Sequence, residues 1–325
     1  MVGHSQVLVT GGAGFIGSNI CEELLKMGNR VICLDNLLTG HIKNIEHLRS
    51  NEHFTFINSD IRDLDQLLIA MKGCTHVCHQ AALGSVPRSI ELPILTDDHN
   101  AKGTLNVFWA AHKSGIKRVV YASSSAVYGD EPTLPKVEGK IGKPLSPYAV
   151  SKCVGELYAK VFTELYGMEM IGLRYFNVFG RRQDPDGAYA AVIPRFVKKL
   201  ILLKSPEIHG NGEQSRDFTY IDNVIQANIN SLMGDNSKAY GNVFNIAFGE
   251  RVTINQLFLL IRESLTRLDS EIEKVEASYI ADRPGDVKHS LADISAAISS
   301  LNYSPTHDII SGMGQAIEWY WNDLK

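Results

Sequence analysis

Short apolar runs and longer amphipathic segments alternate through the first half of the chain. Five runs predict buried strands: VLVT (7–10), VICLD (31–35), FTFIN (54–58), HVCHQ (76–80) and RVVYAS (118–123). After the first of them, Ile16, Ile20 and Leu24 recur at four-residue steps, which predicts a helix that Gly28 ends. Strands and helices in this order are typical of a parallel sheet that helices cover on both faces.

The pattern becomes less regular in the second half of the chain. Gly, Pro and Asp cluster at 180–187, 205–217 and 282–286, which predicts loops that could close over a ligand. Helical periodicity returns at 253–268 and near the C-terminus. We therefore expect a second, smaller α/β unit after the parallel sheet.

Composition narrows the classes of function. The 325 residues, of which 44% are hydrophobic, are enough to form a substantial core without disulfides. The net charge is −4 and no basic run occurs, so nucleic acid is not an expected partner. No apolar stretch reaches about 18 residues, so we predict no membrane span. The N-terminal segment enters the first strand without a charged and apolar leader, and we expect a cytoplasmic protein.

The five cysteines suggest buried free thiols of a reducing compartment, since their number is odd and most lie in apolar runs. The segment CTHVCHQ could suggest a metal site formed by Cys74, His76, Cys78 and His79. Its spacing does not match that of known zinc sites. We therefore interpret the segment as a short buried strand and predict no metal.

A glycine-rich turn, GGAGFIG, connects the first strand to the first helix. Gly11, Gly14 and Gly17 allow the backbone to approach a pyrophosphate, and the helix N-terminus offers free N–H groups and the positive end of its dipole. The strand before the turn and the helix after it are the context that distinguishes a dinucleotide site from a turn needed only for packing. The sequence therefore predicts a doubly wound sheet of the Rossmann type.

Acidic residues that follow the second and third strands indicate which dinucleotide is bound. Asp35 could accept hydrogen bonds from both ribose hydroxyls, whereas it would repel a 2′-phosphate. Asn36 and Leu37 supply no compensating cation, so NAD is favoured over NADP. Asp60 and Ile61 end the third strand, where the adenine would lie; the alternative for Asp60 is a helix N-cap.

A tyrosine and a lysine lie four residues apart on one predicted helix, Tyr148 and Lys152. An ammonium beside the phenol, together with the positive nicotinamide, should favour the phenolate and bring its pKa toward neutrality. The serines 123–125 end the preceding strand and could hydrogen-bond the same substrate oxygen. Such a tyrosine and lysine can also occur in an ordinary amphipathic helix. Combined with the glycine-rich turn and the serines, they predict removal of a proton from a sugar or alcohol during hydride exchange with NAD.

The segments GGAGFIG, SSSAVYG, YAVSK and LRYFNVFG together resemble the extended short-chain dehydrogenase/reductase family, in its nucleotide-sugar epimerase and dehydratase branch. The resemblance covers nearly the whole chain. IGKPLSPYAVSK, GLRYFNVFGRRQDPDGAYAAVIPRF and RPGDVKHSLADIS are more similar still to bacterial UDP-N-acetylglucosamine 4-epimerases of surface-polysaccharide synthesis. This implies an NAD-binding domain over 1–176, to which a segment at about 218–247 returns, and a UDP-sugar-binding domain over 177–325.

The resemblance also implies the site residues. The catalytic residues are Ser124, Tyr148 and Lys152. The implied NAD contacts are Gly11, Gly14, Phe15, Ile16, Gly17, Asp35, Asn36, Gly40, Asp60, Ile61, Gln80, Ala81, Ala82, Asn100, Tyr148, Lys152 and Phe176. The implied substrate contacts are Ser85, Arg88, Ser124, Ser125, Tyr148, Asn177, Val192, His209, Arg216, Arg283 and Ser290.

Individual substrate roles follow from the same resemblance. Arg216 and Arg283 would hold the diphosphate, because arginine binds it in a bidentate manner; the alternative for either is an ion pair with Asp217 or Asp286. Asn177 would bind a diphosphate oxygen or the sugar, and Val192 and the EIHGNG strand would form the uridine pocket. Ser290 stands where epimerases restricted to plain hexoses carry a tyrosine, so it would leave room for an acetamido group.

Similar dehydratases carry an Asp-Glu pair where this chain has Ser125 and Ala126, which cannot transfer a proton to the sugar. The resemblance therefore favours interconversion of UDP-N-acetylglucosamine and UDP-N-acetylgalactosamine through a transient 4-keto sugar. Alternatives remain open: a UDP-glucose/UDP-galactose 4-epimerase, a UDP-N-acetylhexosaminuronate 4-epimerase, or a non-catalytic NAD-binding sensor. The helices at 97–114 and 147–166 resemble those of a dimer interface, so a homodimer is expected.

Overall fold

A computed structural model describes residues 5–186, 190–235, 237–281 and 288–325 of the chain. The strands in these ranges are β1 (Gln6–Thr10), β2 (Arg30–Asp35), β3 (Phe54–Asn58), β4 (His76–His79), β5 (Arg118–Ser124), β6 (Glu169–Tyr175), β7 (Val178–Phe179), β8 (Glu207–His209), β9 (Ser215–Arg216), β10 (Thr219–Tyr220), β11 (Asn242–Ile246), β12 (Val252–Thr253) and β13 (Ser278–Ile280).

The α-helices of the described residues alternate with these strands through the first half of the chain. They are α1 (Phe15–Lys26), α2 (Leu64–Ala70), α3 (Val86–Glu91), α4 (Pro93–Asp97), α5 (Gly103–Lys113), α6 (Pro147–Tyr166), α7 (Val192–Ile201), α8 (Ile221–Met233), α9 (Ile254–Thr266), α10 (Ser295–Leu301) and α11 (Ile309–Leu324). A π-helical segment, Asp98–Lys102, joins α4 to α5. None of the described helices is both long enough and apolar enough to span a membrane.

Seven strands form one parallel sheet in the order β11-β6-β5-β4-β1-β2-β3. Its first five strands in chain order match the five predicted apolar runs to within one residue at each end. The strand order reverses between β1 and β4, which is the place where doubly wound sheets open a crevice at their carboxyl ends. The predicted fold class is therefore confirmed.

Side chains alternate between the two faces of the sheet and separate two cores. On β1, Val7 and Val9 face the helices α1 and α8, whereas Leu8 between them faces α2, α5 and α6. Both groups of helices bury apolar stripes, so the sheet is covered on both sides as the alternating pattern predicts. The helices cover the two faces of the sheet, so the ends of its strands remain uncovered.

The second half of the chain forms short two-stranded sheets and further helices near these strand ends. Strands β8 and β13 pair in parallel, β9 pairs with β12 in antiparallel, and β7 pairs with β10 in parallel. The helix predicted at 253–268 is α9, which begins with a capping box between Thr253 and Gln256. The segment 205–217, predicted as a loop from its composition, contains β8 and β9, and β8 lies in the EIHGNG stretch that the resemblance implies to be a strand. Pairing with distant strands overrides its turn-forming composition, which local sequence does not reveal.

A buried ion pair fastens α6 to the sheet. Glu156 of α6 accepts hydrogen bonds from Arg174 of β6 at both carboxylate oxygens, with N–O distances of 2.9 and 2.7 Å. Arg174 is only 2% exposed and also donates to the backbone oxygen of Glu138. The Ser123 hydroxyl of β5 donates to the same glutamate. One carboxylate therefore joins the helix to two strands.

We expect Arg174→Met to lower the free energy of unfolding by about 3 kcal/mol, because it leaves the Glu156 carboxylate buried without its cation. Adding Glu156→Leu to this variant should restore part of the loss. Urea denaturation measures both effects. Arg49→Met, which removes an exposed ion pair with Glu46, is the control and should change stability by roughly 0.5 kcal/mol or less. Equal losses for the two arginine variants would contradict the assignment.

Candidate active site

A cavity of about 740 Å³ opens at the carboxyl ends of the parallel strands. The predicted NAD residues that line it are Gly11, Gly14, Phe15, Ile16, Gly17, Asp35, Asn36, Ile61, Gln80, Ala81, Ala82, Tyr148 and Phe176. The predicted substrate residues that line it are Ser124, Ser125, Tyr148, Asn177, Arg216 and Ser290. Most of the predicted site is therefore brought together in one place, whereas the roles of the individual residues remain predictions.

The glycine-rich turn fits a pyrophosphate because it has no room for side chains. A Cβ atom on Gly17 would lie 2.2 Å from the carbonyl oxygen of Gly11. Gly11 has a φ of +68°, which favours glycine, and a Cβ there would lie 2.6 Å from the backbone nitrogen of Ala81. Gly14 is the N-cap of α1, so the N–H groups of the first turn open toward the cavity.

The Asp35 carboxylate lies at the end of β2 and organises the loops on either side of it. It accepts hydrogen bonds from the backbone nitrogens of Ala13, at 3.0 Å, and Leu37, at 2.8 Å. Burial raises its pKa, and these hydrogen bonds oppose the change. A Cβ on Gly40 would lie 2.9 Å from both carboxylate oxygens, so this glycine leaves the space beside them open. Gly40 itself is beside the cavity wall rather than part of it.

The helix N-cap, the alternative for Asp60 from the sequence, is wrong, whereas its predicted contact with NAD remains a prediction. Asp60 accepts hydrogen bonds from the side chains of Arg62 and Asn36, and these partners keep its pKa below the usual range despite partial burial. The N-cap of α2 is instead Asp63, which accepts from the backbone nitrogen of Gln66. The neighbouring Ile61 lines the cavity, whereas Asp60 supports the wall from behind.

His99 is a cavity residue that the sequence analysis missed. Its Nδ1 lies 2.9 Å from the carbonyl oxygen of Leu95 and must donate to it. In the neutral imidazole, Nε2 is then an acceptor, and this atom is buried without a hydrogen-bond partner among the described residues. This atom lies 3.9 Å from a carboxylate oxygen of Asp60. His99 and Ile61 both line the cavity.

Two predicted cofactor residues hold the walls of the cavity in place. Asn100 accepts from the backbone nitrogen of Leu83 at 2.8 Å and donates to Ser151 of α6 at 3.2 Å, so it lies behind the cavity lining. Gln80 lines the cavity and donates to Asn228 at 3.0 Å. The position of Asn100 makes it a support for the loop after β4.

Tyr148, Ser124 and Lys152 converge at the end of β5. Tyr148 is in the first turn of α6, which Ser146 caps by accepting from the backbone nitrogen of Ala149. Lys152 lies one turn later, with its ammonium 5.9 Å from the centre of the tyrosine ring and 2.7 Å from the carbonyl oxygen of Ala122. The lysine is buried and sits behind the tyrosine, so only Ser124 and Tyr148 line the cavity.

The pKa values of the pair differ from the sequence-based expectation. Burial raises the pKa of Tyr148, and a hydrogen bond with Ser124 lowers it by less. Burial lowers the pKa of Lys152 to about 8, with the Glu156 carboxylate opposing that shift. The predicted fall in the tyrosine pKa is therefore not produced by the protein groups, because the lysine ammonium is bound to a carbonyl oxygen and desolvation of the phenol is the larger effect.

The substrate side of the cavity is formed by loops after β6 and β9 and by residues 289–290. Arg216 donates to the carbonyl oxygens of Ser215, at 3.0 Å, and Lys288, at 3.1 Å. Ser290 donates its backbone N–H to Ser215 at 3.0 Å, which fixes it beside this arginine. Asn177 has a φ of +33° and donates its amide to the carbonyl oxygen of Asp217.

The Asp217 carboxylate joins three segments of this side. It accepts backbone N–H groups of Phe248, Gly249 and Ala292 at 3.1–3.3 Å. Burial raises its pKa to about 7, and the three hydrogen bonds oppose that change. Its environment is therefore that of a buried structural carboxylate, not the exposed ion pair with Arg216 that was the alternative from the sequence.

Several predicted substrate residues do not line the cavity. Ser85 is the N-cap of α3, and Arg88 lies on that helix. Val192 begins α7, whereas its neighbour Ala191 lines the cavity. His209 ends β8 and donates from Nδ1 to the carbonyl oxygen of Ala281. Arg283 lies outside the described residues.

The cysteine and histidine segment belongs to β4. His79 is buried and bonds the hydroxyls of Thr10 and Thr104 at 2.7 and 2.9 Å. Cys78 is buried on the other face of the strand, beside Asn228. No group of three or more metal-ligating side chains among the described residues is arranged to hold a metal ion.

Lys152→Met should raise the free energy of unfolding of the nucleotide-free protein at pH 7 by about 2 kcal/mol, because it removes a buried charge. The folded lysine has a pKa of about 8 against an ordinary value of 10.5, so the unfolded chain binds the proton more tightly. The free energy of unfolding of the wild-type protein therefore rises between about pH 8 and pH 10.5, and the difference in stability between the variant and the wild-type protein becomes smaller. Urea denaturation at several pH values checks this, with exposed Lys160→Met as the control. A loss of stability at pH 7 would contradict it.

Several proteins are similar to this chain over nearly its whole length. A UDP-N-acetylglucosamine 4-epimerase from Methanobrevibacter ruminantium, solved in complex with UDP-N-acetylmuramic acid, is 41% identical, with 98% of this chain and 99% of that chain covered and a TM-score of 0.92. A UDP-glucuronic acid 4-epimerase from Bacillus cereus, solved with UDP-glucuronic acid and NAD, is 30% identical, with 98% and 99% covered and a TM-score of 0.89. A UDP-glucose 4-epimerase of Mycolicibacterium smegmatis is 32% identical over 98% of this chain and 99% of its own length.

Residues 7–247 match the family described as NAD dependent epimerase/dehydratase. This range includes the glycine-rich turn, Asp35, and the helix that carries Tyr148 and Lys152. The chain therefore belongs to the NAD dependent epimerase/dehydratase family, and NAD, as the sequence predicts, is its cofactor.

Proposed function

We propose that the chain is an NAD-dependent UDP-sugar 4-epimerase that interconverts UDP-N-acetylglucosamine and UDP-N-acetylgalactosamine through a transient 4-keto sugar. One observation carries the proposal: Ser124 and Tyr148 line the same cavity as the glycine-rich turn, with the Lys152 ammonium behind the tyrosine. The three relatives described above are 4-epimerases of UDP-sugars, which supports the reaction class without selecting the sugar.

NAD, when bound, accepts a hydride from a sugar carbon and returns it. In the proposal, the Tyr148 oxygen takes the proton of the C4 hydroxyl and gives it back after the sugar has turned over. The Ser124 hydroxyl, already within reach of that phenol, would hydrogen-bond the same sugar oxygen. The ammonium of Lys152, together with the positive nicotinamide of bound NAD, would favour the phenolate.

The residues at the end of β5 favour return of the hydride over elimination. Ser125 lines the cavity, and its hydroxyl has no hydrogen-bond partner among the described residues. Ala126 lines it as well and has no polar group. Neither side chain can act as an acid or base near neutral pH, so the 4-keto sugar would have no route to dehydration.

Ser290 supports the choice of an amino sugar. Ser290 lines the cavity, and its backbone N–H donates a hydrogen bond to the carbonyl oxygen of Ser215. This contact does not involve the Ser290 side chain. A small residue there leaves space that a tyrosine would fill, and an acetamido group at C2 of the sugar would occupy that space. The relatives include 4-epimerases of UDP-glucose and UDP-glucuronic acid, so these plain and acidic sugars are the competing substrates.

The remaining proposals concern organisation. Residues 1–176 would bind NAD and 177–325 the UDP-sugar, with Arg216 and Arg283 on the diphosphate. A homodimer would form through α6, whose exposed face carries Val150, Leu157, Val161 and Leu165, from 43% to 70% exposed. A cytoplasmic location and a role in the synthesis of surface polysaccharide would be consistent with a nucleotide-sugar substrate.

The function is tested with a panel of UDP-hexoses and UDP-N-acetylhexosamines, with products separated by chromatography. We expect both acetylated substrates to be epimerised faster than UDP-glucose and UDP-galactose. Tyr148→Phe should reduce turnover by about 10³-fold or more while NAD remains bound, because it removes the base and few other contacts. A transient NADH absorbance after substrate addition separates an enzyme from a sensor. Substantial turnover by the phenylalanine variant, or none by the parent, would reject the proposal.

Ser290→Tyr should lower kcat/KM for UDP-N-acetylglucosamine by at least about tenfold, equivalent to about 1.4 kcal/mol, because the ring would occupy the acetamido space. The plain hexoses should keep their kcat/KM or gain. Ser290→Ala is the matched control, since it removes the hydroxyl without filling the pocket. If the tyrosine variant retains the parent rate on the acetylated sugar, Ser290 does not set the size of the pocket.

A further inference from the structure

A closed ring of three side-chain hydrogen bonds joins the end of β4 to β6 and α8. The Tyr175 hydroxyl donates to Oε1 of Gln80 at 3.0 Å, and Nε2 of Gln80 donates to Oδ1 of Asn228 at 3.0 Å. Nδ2 of Asn228 donates back to the Tyr175 oxygen at 2.9 Å. Each side chain thus donates to the next one and accepts from the one before, an arrangement in which the hydrogen bonds polarise one another.

The remaining amide hydrogens of the ring are used as well. Gln80 donates its second one to Sγ of Cys78 at 3.3 Å, and Asn228 donates its second one to the carbonyl oxygen of Val224 at 2.8 Å. The Tyr175 hydroxyl also lies 3.1 Å from Oδ1 of Asn228, but turning its one hydrogen there would leave Oε1 of Gln80 without this donor. Gln80 therefore has no amide hydrogen left to donate to a ligand.

The ring is buried but reaches the cavity at two of its members. Asn228 is 0% exposed and does not line the cavity, whereas Gln80 and Tyr175 do. Burial raises the pKa of Tyr175, and its hydrogen bonds with Asn228 and Gln80 lower it by less. The phenol therefore keeps its proton near neutral pH and remains a donor within the ring.

Gln80 begins the loop that faces the glycine-rich turn. Residues 80–84 all line the cavity. The backbone nitrogen of Gln80 donates to the carbonyl oxygen of Thr10 at 3.0 Å, and a Cβ on Gly11 would lie 2.6 Å from the backbone nitrogen of Ala81. The loop and the turn are therefore in direct contact. A shift of Gln80 would change the surface that both present to the cavity.

The place of the ring in the fold argues for a role in the cofactor site. Apolar side chains of similar volume would also fill the space between the sheet and α8, but they would not fix the direction of the Gln80 side chain. Hydrogen bonds depend on orientation, so a fully satisfied buried network makes its surroundings rigid and specifies one arrangement. The arrangement specified here is that of the loop beside the glycine-rich turn.

We propose that this ring positions the NAD site, with Tyr175 and Asn228 holding Gln80, and through it the backbone of residues 80–82, in the conformation that binds the dinucleotide. Asn228 is then a positioning residue, because it acts on the cofactor only through Gln80. The inference rests on NAD as the cofactor of the family and does not depend on which UDP-sugar is epimerised.

The test measures the dissociation constant of NAD by equilibrium dialysis and that of UDP by calorimetry on the NAD-saturated protein. Tyr175→Phe should raise the constant for NAD by about fivefold or more, since it removes the hydrogen that orients Gln80. Asn228→Leu, which is close in volume, should have a similar effect although Asn228 does not line the cavity. The constant for UDP should stay within about twofold of the parent value.

The double variant Tyr175→Phe, Asn228→Leu separates one ring from two independent contacts. Because either change opens the same ring, the double variant should bind NAD no more than about twofold more weakly than the weaker single variant. A double effect equal to the product of the two single effects would show that the side chains act independently and would overturn the inference.

Tyr303→Phe is the matched control, because it removes a buried hydroxyl that donates to the carbonyl oxygen of Ala247 at 2.7 Å and does not line the cavity. Its constant for NAD should equal that of the parent, and thermal unfolding should show that all variants are folded. Unchanged NAD binding by Asn228→Leu, or an equal weakening of NAD and UDP, contradicts the inference. A sugar panel without turnover would instead reject the proposed function and leave these binding constants unaffected.

Discussion

The Glu156 carboxylate fixes the position of the helix that carries Tyr148 and Lys152. Tyr148, Lys152 and Glu156 follow one another at four-residue steps along α6, so they share a face of that helix. Glu156 is fixed to Arg174 and Ser123 on two neighbouring strands. Because a rigid helix connects them, the same contact fixes how far the tyrosine projects past the strand end. The negative charge of Glu156 also opposes the lowering of the Lys152 pKa by burial.

The parallel sheet and the glycine-rich turn could be predicted from the sequence in detail. Apolar runs of four to six residues and helical spacing are local patterns, and parallel sheets convert them into a fixed order of layers. The glycine-rich turn was equally readable, because its steric demand at Gly11 and Gly17 is met by one residue type alone. Asp35 followed from its place at the end of β2. Each of these inferences depended on residues close together in the chain.

The sequence predicted less where contacts join distant segments. His99 becomes notable only because the carbonyl oxygen of Leu95 takes one nitrogen and leaves the other unpaired in the cavity. The hydrogen bond between Gln80 and Asn228 joins residues that are 148 positions apart in the chain. The tyrosine pKa depends on the balance between burial and hydrogen bonds, which spacing alone cannot give. The two short strands within 205–217 are likewise formed by distant partners.

Asp217 connects distant segments of the chain next to the cavity residues Asn177 and Arg216. The Asp217 carboxylate accepts hydrogen bonds from the backbone N–H groups of Phe248, Gly249 and Ala292. The backbone carbonyl oxygen of Asp217 accepts a hydrogen bond from the Asn177 side-chain amide. Asp217 therefore connects three stretches of chain that are far apart in sequence. These stretches can separate only if hydrogen bonds of Asp217 break, so we expect them to move together.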